Sequence, residues 1–583
     1  MSESGHRGGR RGVSGALRDV HTAFTQLTFP YPLRSQALGQ MRTTSALQQL
    51  DDYLIPRYES LDAPLLAVVG GSTGAGKSTL VNSLLATNVS YTSPIRPTTR
   101  RPVLIHHPDD AHWFDGERIL PGLARVRKSI GDDISAEGST TEVEIRATTR
   151  VPAGMALLDA PDIDSVEVDN RALATQLLAA ADLWIFTTTA ARYADAAPWE
   201  FLRQAARRKI VVAVVLNRVP SGAAFEVRQD LSHRLADVGM AQAPIFTIGE
   251  QQLTADKQLP LAAIDPIVGW IRGLSEDATT RATVARQTLS GALAELVRTG
   301  ADAIDAARDE LSFHIDLSRR VDDAYAAAHT RISEATQDGA LLRGEVLTRW
   351  QEFVGTGEFI RSIETAVGRA RDRISAFFRG KPTAEVEVEE AIETGLWTLL
   401  SAEATRASSE VDYAWQRETP ARQLLAQIAS QQRPQAALDE ACQRAIRQWQ
   451  SAVLEMVRTE GAERKFTARM MSLGVNTLGV ALMLVILAST GGMITGMEVA
   501  AAGGTAVVGQ KLLEAVFGDD AVRRMAKSAR KDLQTRTGAL LAWHAQPYRE
   551  QLAATAPSAT APDALHDALL ALQRERKAEG LTS

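Results

Sequence analysis

The stretch GGSTGAGKST at residues 70–79 decides the fold. It follows the apolar run LLAVVG at 65–70 and leads into LVNSLL at 80–85, so a glycine-rich loop joins a buried-strand pattern to a helical one. The spacing G-x-x-x-x-G-K-S is filled by Gly71, Ser72, Thr73, Gly74, Ala75, Gly76, Lys77 and Ser78, with Thr79 next in the opening helix. Glycines let the main chain curl until its amides converge on an anion, and the helix presents its positive end to the same charge. In such a loop the lysine bridges the β- and γ-phosphates of a nucleoside triphosphate, and the Ser78 hydroxyl is placed to bind Mg²⁺.

Further apolar runs lie downstream: MALLDA at 155–160, LWIFTTT at 183–189, IVVAVVLN at 210–217 and PIFTIGE at 244–250. Their continuous apolar character predicts parallel strands covered on both faces, separated by helical segments. The expected fold class is therefore an α/β P-loop domain with a mostly parallel sheet, plus a large α-helical stalk-like part carrying an apolar helical hairpin. Beyond residue 276 the chain turns to Ala, Arg, Glu and Leu, which favours long antiparallel helices.

The loop PTTRRPVLI at 97–105 enters an apolar strand, and LLDAPD at 157–162 ends a strand in Asp159. With these segments the chain resembles a divergent bacterial dynamin-like or Era-like P-loop GTPase of the dynamin superfamily. That resemblance implies GTP as substrate and Mg²⁺ as cofactor. It puts the metal-binding switch threonine at Thr99, with Thr98 as the neighbouring alternative, and gives Asp159 a water-mediated contact to Mg²⁺. Ser78, Thr99 and Asp159 form the implied metal set, and Lys77 and Thr99 the implied catalytic pair.

The chain also departs from that family. Its D-x-P-G segment carries Asp162 in place of the glycine whose amide meets the γ-phosphate; the Asp162 amide can still serve in nucleotide binding, but its carboxylate beside the γ-phosphate is repulsive unless Mg²⁺ or a basic group screens it, which implies slow or partner-dependent hydrolysis. The base-reading [NT]-K-x-D segment is LNRVP at 216–220: Asn217 matches, Arg218 can stack on the base as a lysine stem would, and Pro220 replaces the guanine-reading aspartate. ATP is thus not excluded. Gly74 replaces the Ser or Asn that holds a monovalent cation in related loops. Arg100, Arg101 and Arg192 are available as arginine fingers or as solvated surface charges.

From Met470 to Met497 no residue is charged, and the uncharged run resumes after Glu498 as far as Gln510. A bilayer crossing takes roughly 20 apolar residues. Arg464, Lys465 and Arg469 precede the stretch and Lys511, Arg523, Arg524 and Lys527 follow it. Basic flanks on both sides predict a hairpin that enters and returns, bent at Gly491 and Gly492. The alternative is a pair of helices buried in the helical part. In the dynamin-like reading a lipid membrane is a partner, self-assembly or pairing with a related GTPase is a second, and the nucleotide domain lies in the cytoplasm, associated with or inserted in the cytoplasmic membrane.

These readings divide the chain into a basic tail with N-terminal helices (1–61), a P-loop domain (62–275), a helical stalk (276–465), the apolar hairpin (466–515), a returning helix (516–553), and a linker with a C-terminal helix marked by Leu565, Leu569 and Leu572 (554–583). A net charge of −6 gives no reason to expect nucleic acid as a partner. The single cysteine, Cys442, excludes an intramolecular disulfide and fits a reducing compartment. The basic, glycine-rich start is unlike a secretory signal. Adjacent His106 and His107 point to opposite sides of a strand and read as surface residues, not a metal pair.

Overall fold

Strand β1 (Leu65–Gly71) is buried along its whole length, and its side chains divide by parity. Leu66 and Val68 enter one apolar cluster, while Leu65, Ala67 and Val69 enter another on the opposite face. That two-sided burial is why the sequence here is an unbroken apolar run.

The computed structural model describes residues 12–91, 101–116, 119–132, 134, 139–163, 168–337, 383–460, 480–481, 484–485, 513–514 and 517–579. Thr98, Thr99, Arg100, the basic tail and most of 470–510 lie outside them. The chain forms two compact units, one of residues 1–29, 33–310 and 557–583, the other of 30–32 and 311–556.

The first unit opens with α1 (Gly12–Thr25), α2 (Gln36–Gln49) and, after a π-helical turn at Leu50–Leu54, α3 (Ile55–Tyr58). Then follow β1, α4 (Lys77–Leu85), β2 (Val103–His106), α5 (Ala111–Phe114), β3 (Ala124–Arg127), β4 (Glu142–Ala147), β5 (Met155–Asp159), α6 (Val168–Ala179), β6 (Leu183–Thr189), α7 (Ala196–Arg207), β7 (Val211–Val219), α8 (Ala224–Asp237), β8 (Ile245–Gly249) and α9 (Leu261–Glu276). The strands form one eight-stranded sheet in the order β3-β4-β2-β5-β1-β6-β7-β8. Every neighbouring pair is parallel except β2 and β5. Leu173, Leu202 and Leu231 of α6, α7 and α8 cover one face; Leu80 of α4 and Ile267 of α9 cover the other. The expected mostly parallel α/β domain and large helical part are both present.

Strands β3 and β4 are absent from the sequence expectation. In β4 the apolar Val143 and Ile145 alternate with Glu144 and Arg146, yet all of them are buried. Arg146 Nε meets Glu144 Oε1 at 2.6 Å, Arg101 Nη2 meets Glu144 Oε2 at 2.6 Å, and Lys128 Nζ stands 3.6 Å from the same oxygen. Mutual pairing carries these charges into the interior, so no apolar run announces the strand. His106 also departs from expectation: it is buried, not at the surface, with its ring stacked 5.6 Å from that of Phe114 and Nδ1 against the His107 carbonyl. The short α5 supplies the cover that adjacency in sequence does not reveal.

Around the N-terminal helices a separate helical cluster forms. Leu17, Val20 and Phe24 of α1 pack with Leu289, Leu293 and Leu296 of the 60-residue helix α10 (Ala278–Gln337). Leu565, Leu569 and Leu572 of the last helix, Ala561–Ala578, complete it.

The second unit takes up α10 again with α11 (Thr383–Gln416), α12 (Thr419–Ile428), α13 (Gln435–Glu460) and α14 (Asp519–Ala554); the last helix, Ala561–Ala578, is α15. On α13 Leu438, Cys442, Ile446, Trp449, Val453 and Val457 recur at three- or four-residue steps and are all buried. Trp449 donates its indole N–H to the Ala529 carbonyl at 2.8 Å, and Trp415 meets Tyr548 edge to face at 5.6 Å. Burial pushes the Cys442 thiol up to about 12, so it behaves as a core side chain. Among the described residues no helix is long and apolar enough to cross a membrane.

In this unit His544 is buried beside Tyr325, with Nδ1 at 2.9 Å from the phenol oxygen. Burial, reinforced by Arg433, lowers its pKa to about 4. An unfolded histidine titrates near ~6.5, so between those values the unfolded chain binds the extra proton and stability is lost as pH falls. Asp52, raised by burial to about 6, acts in the opposite sense, so the difference between two proteins isolates His544. His544→Gln should therefore gain on wild type by about 2 kcal/mol between pH 7.5 and pH 5. Parallel thermal melts at both pH values check this; a pH-independent difference contradicts it.

Candidate functional site

The loop that follows β1 is held open by close approach on one side and by positive φ within it. At Gly71 a Cβ would fall 1.9 Å from the Thr187 carbonyl of β6, because β1 stays paired with β6 to its last residue. Gly76, at φ 91°, forms the turn into α4, and a Cβ there would fall 2.6 Å from the Asn217 side-chain amide. No larger residue fits either place without moving a neighbour.

Lys77 begins α4 and turns back over the loop. Its ammonium reaches the Gly71 carbonyl at 3.2 Å and the Ser72 carbonyl at 3.1 Å, and pairs with the Asp162 carboxylate. Ser78, next on the helix, donates its hydroxyl to Asp159 Oδ2 at 2.6 Å. Asp159 ends β5, the parallel neighbour of β1, so lysine, hydroxyl and carboxylate converge on one edge of the sheet. Burial raises the Asp159 pKa, opposed by the Ser78 hydrogen bond and by Lys77. Its other oxygen, Oδ1, is buried without a hydrogen-bond partner, as is the Ser72 hydroxyl.

The structure thus brings together Gly71, Ser72, Gly76, Lys77, Ser78, Asp159, Asp162 and Asn217. Asn217, two residues before the end of β7, donates Nδ2 to the Ala75 carbonyl at 2.9 Å, bracing the loop from the third strand. Arg218 stands exposed beyond it at φ 54°. Arg192, weighed in the sequence only as a finger or a surface charge, holds the loop from outside: Nη1 donates to the Thr73 carbonyl at 2.9 Å while Nε meets Asp195 at 2.9 Å. Its target is a main-chain oxygen, which leaves no sequence signal. Arg101 is engaged with Glu142 and Glu144.

The orphaned Asp159 oxygen and the Ser78 hydroxyl beside it make a hard, all-oxygen donor set of the kind that suits Mg²⁺. Among the described residues no group of three or more His, Cys, Asp or Glu gathers to hold a metal by itself. Protein ligands here are few, and phosphate oxygens would complete such a shell.

Residues 66–219, from the second residue of β1 to the end of β7, match the dynamin family model. No curated protein sequence matches the chain. Nothing supports the narrower Era-like part of the resemblance. Similar solved structures include a member of an oligomerised bacterial dynamin pair, described as providing a mechanism for long-range sensing and tethering of membranes, at 11% identity over 96% of this chain and 98% of that one, with a TM-score of 0.40. Others are the LeoA bacterial dynamin GTPase from ETEC, at 13% identity, 97% of each chain and TM-score 0.23, and Toc33 from Arabidopsis thaliana in complex with Mg²⁺ and GMPPNP, at 14% identity, 44% of this chain, 96% of that one and TM-score 0.23. Superposition over whole chains is poor in every case, and none of these likenesses bears on the site.

The contact between Gly71 and β6 is main chain against main chain, so it offers no side chain that can swing aside. Gly71→Ala should destabilise the protein by about 3 kcal/mol or more, whereas Gly74→Ala, at φ 74° in open space, should lose only about 1 kcal/mol to backbone strain. Denaturant unfolding of both variants reads the difference; equal losses would place the constraint elsewhere.

Proposed function

We propose that the chain is a dynamin-like nucleoside triphosphatase that hydrolyses GTP with Mg²⁺. The observation that carries the reading is the convergence of Lys77, Ser78 and Asp159 at the ends of β1 and β5 under a loop held by Gly71 and Gly76. The match of residues 66–219 to the dynamin family agrees with it.

In this reading the amides of residues 71–79 hold the phosphates and Lys77 neutralises charge on the β- and γ-oxygens. Ser78 and Asp159, with Thr99, would hold Mg²⁺, which supplies charge neutralisation at the phosphates. Asn217 keeps the loop braced and Arg218 stacks on the base. Residues 62–275 are the nucleotide domain, 276–465 the stalk, 466–515 a lipid-contacting hairpin and 516–553 its return. Nucleotide state passes to the helical part through Thr99 and the 159–162 segment. Self-assembly on the cytoplasmic membrane fits the basic flanks of the uncharged stretch.

A second reading keeps the nucleotide chemistry and makes the protein a soluble regulatory NTPase whose 470–510 stretch is core. It is favoured by Val480, Ala481, Leu484 and Val485, which are helical and buried.

Phosphate release from GTP and ATP, with wild type and Lys77→Ala, tests the first claim. Turnover of GTP above ATP, falling roughly a hundredfold or more in the variant, is expected; no turnover in either protein removes the enzyme. Sedimentation of the full chain with anionic vesicles, with and without a GTP analogue, decides between the readings. Nucleotide-dependent pelleting supports membrane action, and a protein that stays monodisperse in the supernatant supports the buried core.

A further inference from the structure

An ammonium group has three N–H donors, and those of Lys77 have three acceptors: the Gly71 carbonyl, the Ser72 carbonyl and the Asp162 carboxylate. The lysine and aspartate side chains are only 6% and 5% exposed, so water does not compete for this pairing as it does at a surface. The two carbonyls belong to the loop itself. The carboxylate arrives from another segment, beyond the end of β5.

An incoming triphosphate needs a donor from Lys77, and the exchangeable acceptor is Asp162. A carboxylate and a terminal phosphate are both compact oxyanions, and each makes a short charge-assisted hydrogen bond to the same cation. Burial, and to a smaller extent the neighbouring Asp162, raise the Asp159 pKa, so the two carboxyls oppose each other's ionisation in this pocket. The main chain on either side of Asp162 is tied to the end of β1: Ala160 N–H bonds the Val69 carbonyl at 3.1 Å and Ile163 N–H the Gly71 carbonyl at 3.4 Å. Those ties return the carboxylate to the lysine whenever the rival anion leaves.

Building on the nucleotide reading above, we propose that Asp162 is an internal competitor for the phosphates of the nucleotide, holding Lys77 in the nucleotide-free protein and surrendering it when they arrive. Lys77 is read as meeting both the β- and the γ-oxygens, so the carboxylate competes with a diphosphate as well as with a triphosphate. It follows that the carboxylate weakens the binding of both. Release of Asp162 also ties the 159–163 segment to the presence of nucleotide. The residue is a positioning residue: it acts through Lys77 and takes no part in bond making.

The test is equilibrium binding of a non-hydrolysable GTP analogue and of GDP, with Mg²⁺, to the full-length wild type, Asp162→Asn and Asp162→Gly, with the adenine counterparts in parallel. Both variants should bind the triphosphate analogue and the diphosphate about tenfold tighter or more, equivalent to about 1.4 kcal/mol. No change, or weaker binding of either nucleotide, overturns the proposal. So does a variant whose turnover collapses at unchanged affinity, since that marks a residue acting on the attacking water. Melting of the unliganded proteins identifies a variant that fails to fold, and the other substitution is then read. Wild type that binds no nucleotide of either base refutes the nucleotide reading itself, and this proposal with it.

Discussion

Asp182 is the last residue before β6, and it also holds the start of β1. Its Oδ2 accepts the Leu66 N–H at 2.9 Å, its Oδ1 accepts the Tyr53 hydroxyl at 3.1 Å, and the same oxygen forms an ion pair with Arg57, whose Nε lies 3.1 Å away. Its carbonyl accepts the Thr288 hydroxyl of α10 at 2.9 Å. Burial pushes this carboxyl up and Arg57 opposes the shift. One buried anion thereby fixes two central strands to the N-terminal helices and to the long helix. Removing one partner of such a group leaves an uncompensated charge, typically a loss of about 3–5 kcal/mol. The opposite end of the same strand pair, about 17 Å along β1, is where Gly71 lies on the Thr187 carbonyl. The phosphate loop springs from that point, so its place is set by the strand pair before any loop residue contributes.

A sheet clamped at both ends can carry unsatisfied groups at its functional edge. Ser72 Oγ, Asp159 Oδ1, Thr187 Oγ1 and Thr188 Oγ1 are all buried there without a hydrogen-bond partner. Each such group loses its hydration on folding and gains nothing in return, roughly 1–3 kcal/mol apiece. Their clustering along β1, β5 and β6 sets this edge apart from the sheet interior, where the main chain is paired strand to strand. The rigidity supplied by Asp182 and by the two apolar faces is what allows the edge to stay in this state.

Legibility in the sequence followed the same physics. β1, β5, β6 and β7 are readable because both of their faces are covered, which demands apolar residues at successive positions, whereas the edge strand β8 is only partly buried and is readable from its short apolar run alone. The loop was readable because close backbone approach demands glycine, as at Gly71. β3 and β4 were not readable, since Glu144 and Arg146 are buried by pairing with each other and with Arg101, and charge in a sequence looks like exposure. The antiparallel step between β2 and β5 has no local signature, because it depends on where a connection crosses. Within the site, Ser78 and Asp159 meet as their motifs suggest. The roles of Asn217 and Arg192 as braces were hidden, because each bonds a main-chain carbonyl, and any residue supplies one.

The same sheet holds two sets of buried charge, and the contrast between them says what each is for. Glu144 is surrounded by Arg101, Lys128 and Arg146, all from β4 or the segments beside it, and the loss of one cation leaves the others in place. Such a set is redundant and therefore structural, a way of burying β4, which lies between β3 and β2. Lys77 is in direct contact with one carboxylate, Asp162, contributed by a different segment, and its other hydrogen-bond acceptors are carbonyl dipoles that carry no net charge. A contact of this kind can be broken by an anion that brings equal or greater charge to the lysine. Burial alone does not distinguish the two sets; exchangeability does, and among the described residues the carboxylate in contact with Lys77 lies just beyond the end of the strand where the sheet leaves hydroxyls and a carboxylate oxygen unmatched.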